Sequence, residues 1–406
     1  MVTDHPQTLI YMIPITNLLG TWEGMLQHLD LGKHLRGHYF NKTKFNFNLD
    51  PTFFDSHQIY VRSTDVNRTI ISAMSNMIGF YDMKKTAVKG TDYPDDDNWP
   101  TGFIPIAVHT TVPYDYDFVG NPDAECKLQK EVWEEIKRSE IYVNATRQNA
   151  TLLNYLTKNS GKNISLENLW IISDSLFIQN VSSKPWPEWI NESLYDTIQS
   201  LNDVVEDWQN GINLGGLKIR DQDASTLVKQ CRGGSLVWSI IHHMQEKIAC
   251  LNSDDKACEW MKRLQYFVYS AHDTTLAALL TALGSMKSVV AEGYPHYSAA
   301  ITIELLEETG NYFVRANYFY PDPKSTNMTT FTNKIHGCEN LDKCPLDKFV
   351  EAMQEVHPPK GMDIQSYCDK GLAQFKAASI SHGSLMTAIV TAAASYFYAI
   401  GHIRIL

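Results

Sequence analysis

Two short apolar runs, each followed by polar residues and a helical pattern, constrain the fold of this chain most. Residues 58–61 precede Arg62-Ser-Thr-Asp65 and a helical pattern over 66–81, and residues 266–270 precede Ala271-His272-Asp273 and a helical pattern over 276–283. Strands that alternate with helices form a mostly parallel sheet flanked by helices. We therefore predict an α/β fold with its ligand at the carboxyl ends of these strands.

The pattern changes between residues 120 and 235, where helical periodicity dominates, for example over 128–141 and 194–208. We predict a helical cap domain inserted at 120–235 into a discontinuous α/β core that consists of 1–119 and 236–375. Within the core, 104–110 is predicted as a further strand, and 299–306 with 312–320 as a β-hairpin.

Charge and motif content exclude several classes of protein. Asp and Glu outnumber Lys and Arg by 46 to 35, whereas a nucleic-acid-binding protein needs a basic surface to neutralise phosphates. The HExxH zinc motif, the GxSxG elbow, the Walker A loop and the GxGxxG fingerprint are absent from the sequence. We predict no nucleic-acid partner, no metal and no cofactor.

Cysteines and glycosylation sequons indicate an oxidising compartment. Seven cysteines leave at least one unpaired if the others form disulfides. The N-x-[ST] sequon occurs at Asn67 and at seven positions that we predict to be glycosylated, namely Asn41, Asn144, Asn149, Asn163, Asn180, Asn191 and Asn327. These features favour a lysosomal, secreted or cell-surface glycoprotein.

The two ends of the sequence raise separate questions. The first eight residues have neither the charged nor the apolar region of a signal peptide. Residues 384–406 form an apolar tail, for which three interpretations stay open: a single membrane anchor, a lipid-anchor signal that is removed, and a packed terminal helix.

The two strand–helix junctions carry the residues that suit phosphate chemistry. Arg62 and His272 each stand near a helix N-terminus, where backbone donors favour an anion. Asp273 beside a bound phosphate would tend to stay protonated and could donate that proton to a leaving alcohol. The alternative is that Arg62 pairs with an acid and Asp273 only caps a helix.

These junctions and three further segments resemble the histidine acid phosphatases of the prostatic and lysosomal type, from residue 16 to 368. The similar segments are Tyr60-Val-Arg-Ser-Thr-Asp-Val-Asn-Arg-Thr69, Tyr269-Ser-Ala-His-Asp-Thr-Thr275, Glu23-Gly-Met-Leu-Gln-His28, Leu31-Gly-Lys-His-Leu-Arg36 and Cys344-Pro-Leu-Asp-Lys-Phe349. The resemblance implies a phosphoglycerate-mutase-like α/β sheet with a helical cap. It also implies hydrolysis of phosphate monoesters, either small molecules or phosphoproteins, at acid pH, and leaves a homodimer open.

The resemblance assigns roles to individual residues. Arg62 would hold phosphate, His272 would contact it, and Asp273 would be the proton donor. Cys126–Cys368 and Cys338–Cys344 would form disulfides of the family, Cys250–Cys258 would be an additional one, and Cys231 would be left free. Ser173 stands where the family has a further cysteine.

One departure from the family affects the expected activity. The family's nucleophile is a histidine in an Arg-His-Gly-x-Arg-x-Pro segment on the first strand, and this segment is absent from the sequence. We hypothesise that the natural protein extends upstream of Met1, with both a signal peptide and this strand. For the sequence as given we predict no turnover and an unpaired edge in the sheet. The rival hypothesis is a catalytically silent glycoprotein that binds phosphate or is displayed at a membrane.

Overall fold

A computed structural model describes residues 9–14, 21–40, 49, 57–320 and 328–375. Asn41, Asn327 and the apolar tail 384–406 lie outside these ranges, so the predictions made for them are not addressed. None of the helices in the described ranges has the length and apolarity that are needed to cross a bilayer.

Nine strands and fifteen α-helices are present in the described ranges. The strands are β1 Leu9–Pro14, β2 Ile59–Ser63, β3 Lys218–Ile219, β4 Gln222–Asp223, β5 Tyr266–Ser270, β6 Ala300–Glu308, β7 Asn311–Phe319, β8 Thr329–Thr330 and β9 Cys344–Pro345. The helices are α1 Trp22–Tyr39, α2 Asn67–Tyr81, α3 Met83–Thr86, α4 Lys127–Arg138, α5 Glu140–Gln148, α6 Ala150–Ser160, α7 Trp170–Val181, α8 Glu192–Gln209, α9 Ala224–Arg232, α10 Gly234–Leu251, α11 Glu259–Arg263, α12 Asp273–Ala282, α13 Met286–Val289, α14 Leu346–Ala352 and α15 Ile364–Lys370.

The main sheet has the strand order β2-β5-β1-β6-β7-β8, and β9 pairs with β7. β2, β5 and β1 are parallel, whereas β1–β6, β6–β7, β7–β8 and β7–β9 are antiparallel pairs. The α/β class is confirmed, and the parallel part of the sheet comprises these three strands. The predicted hairpin is present as β6 and β7.

Alternating residues of β5 face opposite sides of the sheet, as the period of two in a strand requires. Phe267 and Tyr269 pack with α10 and α12 on one face, whereas Tyr266 and Val268 pack with α1 and α2 on the other. All five residues of β5 are buried, because helices cover both faces. The buried apolar run in the sequence therefore marks the middle of the sheet.

The expectation of an unpaired sheet edge was wrong. β1 lies between β5 and β6, with Ile10 beside Tyr266 and Pro14 beside Ala300. Its sequence, Leu-Ile-Tyr-Met-Ile-Pro, is rich in the β-branched and aromatic residues that suit an interior strand. The interior position between β5 and β6 is thus occupied by β1, whose sequence contains neither histidine nor arginine.

The prediction of a strand at 104–110 is also wrong, because the structure has no strand at these described residues. Within this segment, the backbone pairing with the sheet is an isolated bridge between His109 and Arg62, whereas Ile106 packs against the sheet through its side chain. Pro105 has no backbone N–H to donate, which disfavours a ladder at this position.

Helices α4–α9 surround a separate hydrophobic cluster, which includes Leu128, Leu156, Ile198 and Leu227. Tyr367, Cys368 and Leu372, from α15 and the residues after it, pack in the same cluster. The limits 120 and 235 of the inserted cap stay a prediction. Of the sequons in this region, Asn144, Asn163, Asn180 and Asn191 are exposed and Asn149 is half-buried.

Three disulfides join Cys126 to Cys368, Cys250 to Cys258 and Cys338 to Cys344. Cys231 is the free cysteine, and it is buried. These are the pairs that the resemblance implied.

Candidate active site

The two junctions singled out in the sequence meet at one edge of the sheet. β2 and β5 are adjacent, with Ser63 beside Ser270, and the Thr64 N–H donates to the Ser270 carbonyl at 3.1 Å. His272 is the N-cap residue of α12, and Asp273 is the first residue of that helix. The parallel pairing therefore brings Thr64 and His272 together, as expected at the carboxyl ends of neighbouring strands.

The His272 ring is buried and both of its nitrogens have partners. Nε2 lies 3.0 Å from Thr64 Oγ1, and Nδ1 lies 3.0 Å from Arg68 Nη2. Because a guanidinium only donates hydrogen bonds, Nδ1 accepts from Arg68 and the ring proton resides on Nε2, which donates to Thr64. Burial, together with the Arg68 charge, lowers the pKa of His272 to about 3. The imidazole is therefore neutral even in mild acid.

A chain of hydrogen-bonded hydroxyl groups begins at Thr64, the residue that His272 Nε2 contacts. Thr64 Oγ1 lies 2.9 Å from Thr69 Oγ1, which also bonds to Ser63 Oγ at 2.9 Å and donates to the Val66 carbonyl at 2.7 Å. Ser63 and Thr64 do not cap α2, since its N-cap is Val66 and makes no side-chain capping bond. Their hydroxyls instead fix the orientation of the imidazole.

Arg62 forms an ion pair with a buried carboxylate. Its Nη2 lies 2.5 Å from Oδ1 of the buried Asp117, and the same oxygen accepts from the N–H groups of Val119 and Gly120. Burial, together with the charges of Arg62 and His242, lowers the pKa of His243 to about 4. The structure thus places Arg62 in an ion pair, and its predicted contact with phosphate stays a prediction.

Arg68 is the residue that sequence reasoning missed. It lies in the first turn of α2, next to the Thr64–Thr69 hydroxyls, and lines the cavity described below together with His272 and Asp273. It belongs to the quoted segment 60–69, but position in the sequence alone does not show that its side chain reaches across to α12.

A cavity of about 1040 Å³ opens above His272, between α12 and the cap helices α4, α7, α8 and α9. Asp273 lines it and accepts from the Thr274 N–H at 2.8 Å. Six further carboxylates line it, namely Asp123, Asp174, Asp196, Asp203, Glu206 and Glu292. Asp123 is paired with Arg232 at 2.5 Å.

Burial raises the pKa values of three of these carboxyls. The largest cause for Asp174, Asp203 and Glu206 is desolvation, and for Glu206 the charges of Asp203 and Asp273 contribute further. These groups therefore take up protons before ordinary carboxylates do as the pH falls. The negative charge of the cavity decreases in acid, which favours the entry of an anion.

Among the described residues, the single cluster of metal-type donor atoms consists of Cys126, Cys231 and Cys368. Two of its sulfurs are joined in a disulfide, which leaves one thiol as a ligand. The donor set therefore does not fit a metal ion in this state.

The chain resembles acid phosphatases along most of its length. It is 28% identical to the lysosomal acid phosphatase of Xenopus laevis over 337 residues, which cover 83% of this chain and 68% of that protein. It is also 28% identical to the prostatic acid phosphatase of Bos taurus over 335 residues, which cover 82% and 75%.

Solved structures of phytases share the fold. The Klebsiella sp. ASR1 phytase superposes with a TM-score of 0.57 at 13% identity over 88% of this chain and 99% of that one. The apo form of the Hafnia alvei phytase gives 0.56 at 12% identity over 88% and 99%.

The family model of the histidine phosphatase superfamily (branch 2) matches residues 7–318. The cavity floor of Arg68, His272 and Asp273 lies within that match, and the chain belongs to the histidine phosphatase superfamily, branch 2.

Proposed function

We propose that the cavity above His272 binds phosphate monoesters in acid and that the 406-residue chain does not hydrolyse them. One observation carries the binding half of this proposal: Arg68 and His272 lie 3.0 Å apart on the cavity floor, beside Asp273. Arg68 supplies positive charge and donors for the phosphoryl oxygens. Asp273 lines the same cavity, and we assign to it the proton-donor role that the family resemblance implies.

Acid pH supports binding in this cavity for an electrostatic reason. The raised pKa values of Asp174, Asp203 and Glu206 leave fewer negative charges near the phosphate as the pH falls. His272 stays neutral under the same conditions because its pKa is about 3. The positive charge that remains on the floor is therefore that of Arg68.

The identity of the first strand supports the absence of turnover. The resemblance puts the family's nucleophilic histidine on a first strand, and β1 occupies the interior position beside β5 with the sequence Leu-Ile-Tyr-Met-Ile-Pro. A phosphohistidine route needs a histidine in line with the phosphate, and the sequence of β1 contains no histidine.

Binding and turnover are tested separately. We expect inorganic phosphate to bind at pH 5 in isothermal titration calorimetry, and Arg68→Met to weaken it about tenfold or more through loss of a charge-assisted contact. The exposed Arg147 offers a control, Arg147→Met, that leaves the affinity unchanged. Equal affinities of wild type and Arg68→Met would contradict the assignment of the site.

For turnover, we expect no release of p-nitrophenol from p-nitrophenyl phosphate at pH 5. Hydrolysis by the wild-type chain that disappears in Asp273→Asn would contradict the proposal of a silent site. An activity that survives in Asp273→Asn would point to a contaminating enzyme.

We further infer a lysosomal or secreted location from three disulfides, four exposed sequons in the cap and the names of the relatives. When an added signal peptide directs the chain into the secretory pathway of animal cells, treatment with a peptide-N-glycosidase should increase its mobility on a gel. Unchanged mobility would show that the exposed sequons do not carry N-linked glycans. Membrane display depends on the tail 384–406 and, like a homodimer, stays a prediction.

A further inference from the structure

A free thiol lies against a disulfide inside the helical cluster. The sulfur atoms of Cys126, Cys231 and Cys368 are all within 4.8 Å of one another. Cys126 and Cys368 form the disulfide, and Cys231 is free. The exposed fractions of Cys126, Cys231 and Cys368 are 1%, 2% and 0%, so external thiols are kept away from all three sulfurs.

We propose that these three sulfurs form an exchange site, in which Cys231 displaces Cys368 from its disulfide with Cys126. The Cys231 thiolate attacks Cys126 Sγ, the Cys126–Cys368 bond breaks, and a Cys126–Cys231 bond forms. The electron pair of the broken bond leaves with Cys368, which takes up the proton that Cys231 released. One disulfide replaces another, and the step therefore requires no oxidant or reductant.

Helix packing identifies Cys126 as the sulfur under attack. Cys126 is the N-cap of α4, whereas Cys231 belongs to α9 and Cys368 to α15. α4 packs against both α9 and α15. A bond between Cys126 and Cys231 thus joins two helices that are already in contact, and neither needs to move far.

The exchange changes which segment is covalently held. The present disulfide spans 242 residues and ties α15 to the start of α4. After exchange, α15 would be held by non-covalent contacts, which include the Tyr367 hydroxyl bonded to Gln230 at 2.5 Å and the Leu372 N–H bonded to Glu131 at 2.6 Å. The segment after residue 363 becomes the part of the chain that can detach.

The site also borders the phosphate cavity. Cys126 lines that cavity together with Gln129 and Lys130 of α4, and the Gln129 N–H lies 3.5 Å from Cys126 Sγ. A change in the disulfide partner of Cys126 would therefore alter the position of the first turn of α4, which lines the cavity.

The protonation state of the Cys231 thiol controls the rate of the disulfide exchange. Burial raises the pKa of Cys231 to about 12, and the neighbouring Arg232 lowers it in part. From α15, Tyr367 interacts electrostatically with Cys231: burial and, to a lesser degree, the charge of Cys231 raise the pKa of the Tyr367 hydroxyl. Because the thiolate is the attacking form, its population and the exchange rate rise about tenfold per pH unit below this pKa.

The test uses the full chain, kept at pH 5.0 or 8.5 for increasing times and then quenched in acid. After denaturation and labelling with N-ethylmaleimide in acid, a non-reducing digest is read by mass spectrometry. We expect a Cys126–Cys231 peptide and a labelled Cys368 to accumulate at pH 8.5, at a rate about 3,000-fold above that at pH 5.0, because the two conditions differ by about 3.5 pH units.

A Cys231→Ser variant is the matched control, because it should keep Cys126–Cys368 at both pH values. Persistence of Cys126–Cys368 with labelled Cys231 in the wild type at pH 8.5 would overturn the proposal, and so would a Cys231–Cys368 product. Equal rearrangement of Cys250–Cys258 and Cys338–Cys344 would also overturn it, since scrambling would then be general.

Discussion

The Arg68 guanidinium donates to Nδ1 of His272 at 3.0 Å, and this contact determines the tautomer of the imidazole. A permanent positive charge at this distance disfavours a second proton on the ring. Arg68 belongs to α2 and His272 is the N-cap residue of α12. The starts of these two helices meet because β2 and β5 are neighbours.

We predict that Arg68→Met raises the pKa of His272, since the Arg68 charge is one of the causes that lower it. Burial is the larger cause and remains, so the pKa should stay below the ordinary value for histidine. NMR titration of ring-labelled histidines measures this, with Arg147→Met as the unchanged control. An unshifted His272 titration would show that the contact does not persist in solution.

A second prediction concerns the closely packed pair α1 and α2. A Cβ on Gly79 would lie 2.0 Å from the Leu29 carbonyl oxygen, whereas a Cβ on Gly37 of α1 would meet nothing within 4 Å. Gly79→Ala should therefore lower the free energy of unfolding by about 2–4 kcal/mol, because two backbones must separate. Gly37→Ala should raise it by about 0.5–1 kcal/mol through helix propensity. Equal effects in chemical denaturation would contradict the close approach.

The third prediction concerns Lys247, whose side chain is buried in α10. Its Nζ donates to the carbonyls of Met261, Lys262 and Leu264 at 2.9, 2.7 and 2.8 Å. Lys247→Met would leave these carbonyls at the end of α11 without donors, and we expect a loss of about 2–4 kcal/mol in the free energy of unfolding. Lys158→Met at an exposed position of α6 is the control. A stable Lys247→Met variant would mean that solvent reaches these carbonyls.

The fourth prediction follows from Glu206, whose pKa burial raises well above its ordinary value. The folded state holds this proton to a higher pH than the unfolded chain does. The stability linked to it is therefore complete below the unfolded pKa and is lost as the pH rises through the folded pKa. Glu206→Gln should raise the free energy of unfolding at pH 7 by about 1–2 kcal/mol, while the amide oxygen still accepts from Asn202.

The pH dependence separates this effect from a change in packing. The difference between wild type and Glu206→Gln should shrink as the pH falls towards 4. Glu188→Gln, at an exposed position of the loop that precedes this helix, is the control and should show no such pH-dependent difference. A pH-independent effect of Glu206→Gln would assign it to packing.

Local patterns in the sequence predicted β5, α2 and the β6–β7 hairpin because each is defined by its own periodicity or turn. They also located His272 and Asp273, since polar residues directly after a buried strand indicate a site. β1 was missed as an interior strand because its partners lie far away in the chain, and no local pattern encodes them. The Arg62–Asp117 pair, 55 residues apart, and the reach of Arg68 to His272, 204 residues apart, depend on tertiary packing in the same way.

The position of β1 also has a consequence for biosynthesis. Ile10 pairs with Tyr266, which is 266 − 10 = 256 residues later in the chain. At a translation rate of about 5–20 residues per second, roughly 13–50 seconds pass before this partner leaves the ribosome. During that interval the apolar segment Leu-Ile-Tyr-Met-Ile has no sheet to join, and we expect the nascent chain to be prone to aggregation until the middle of the sheet can close around it.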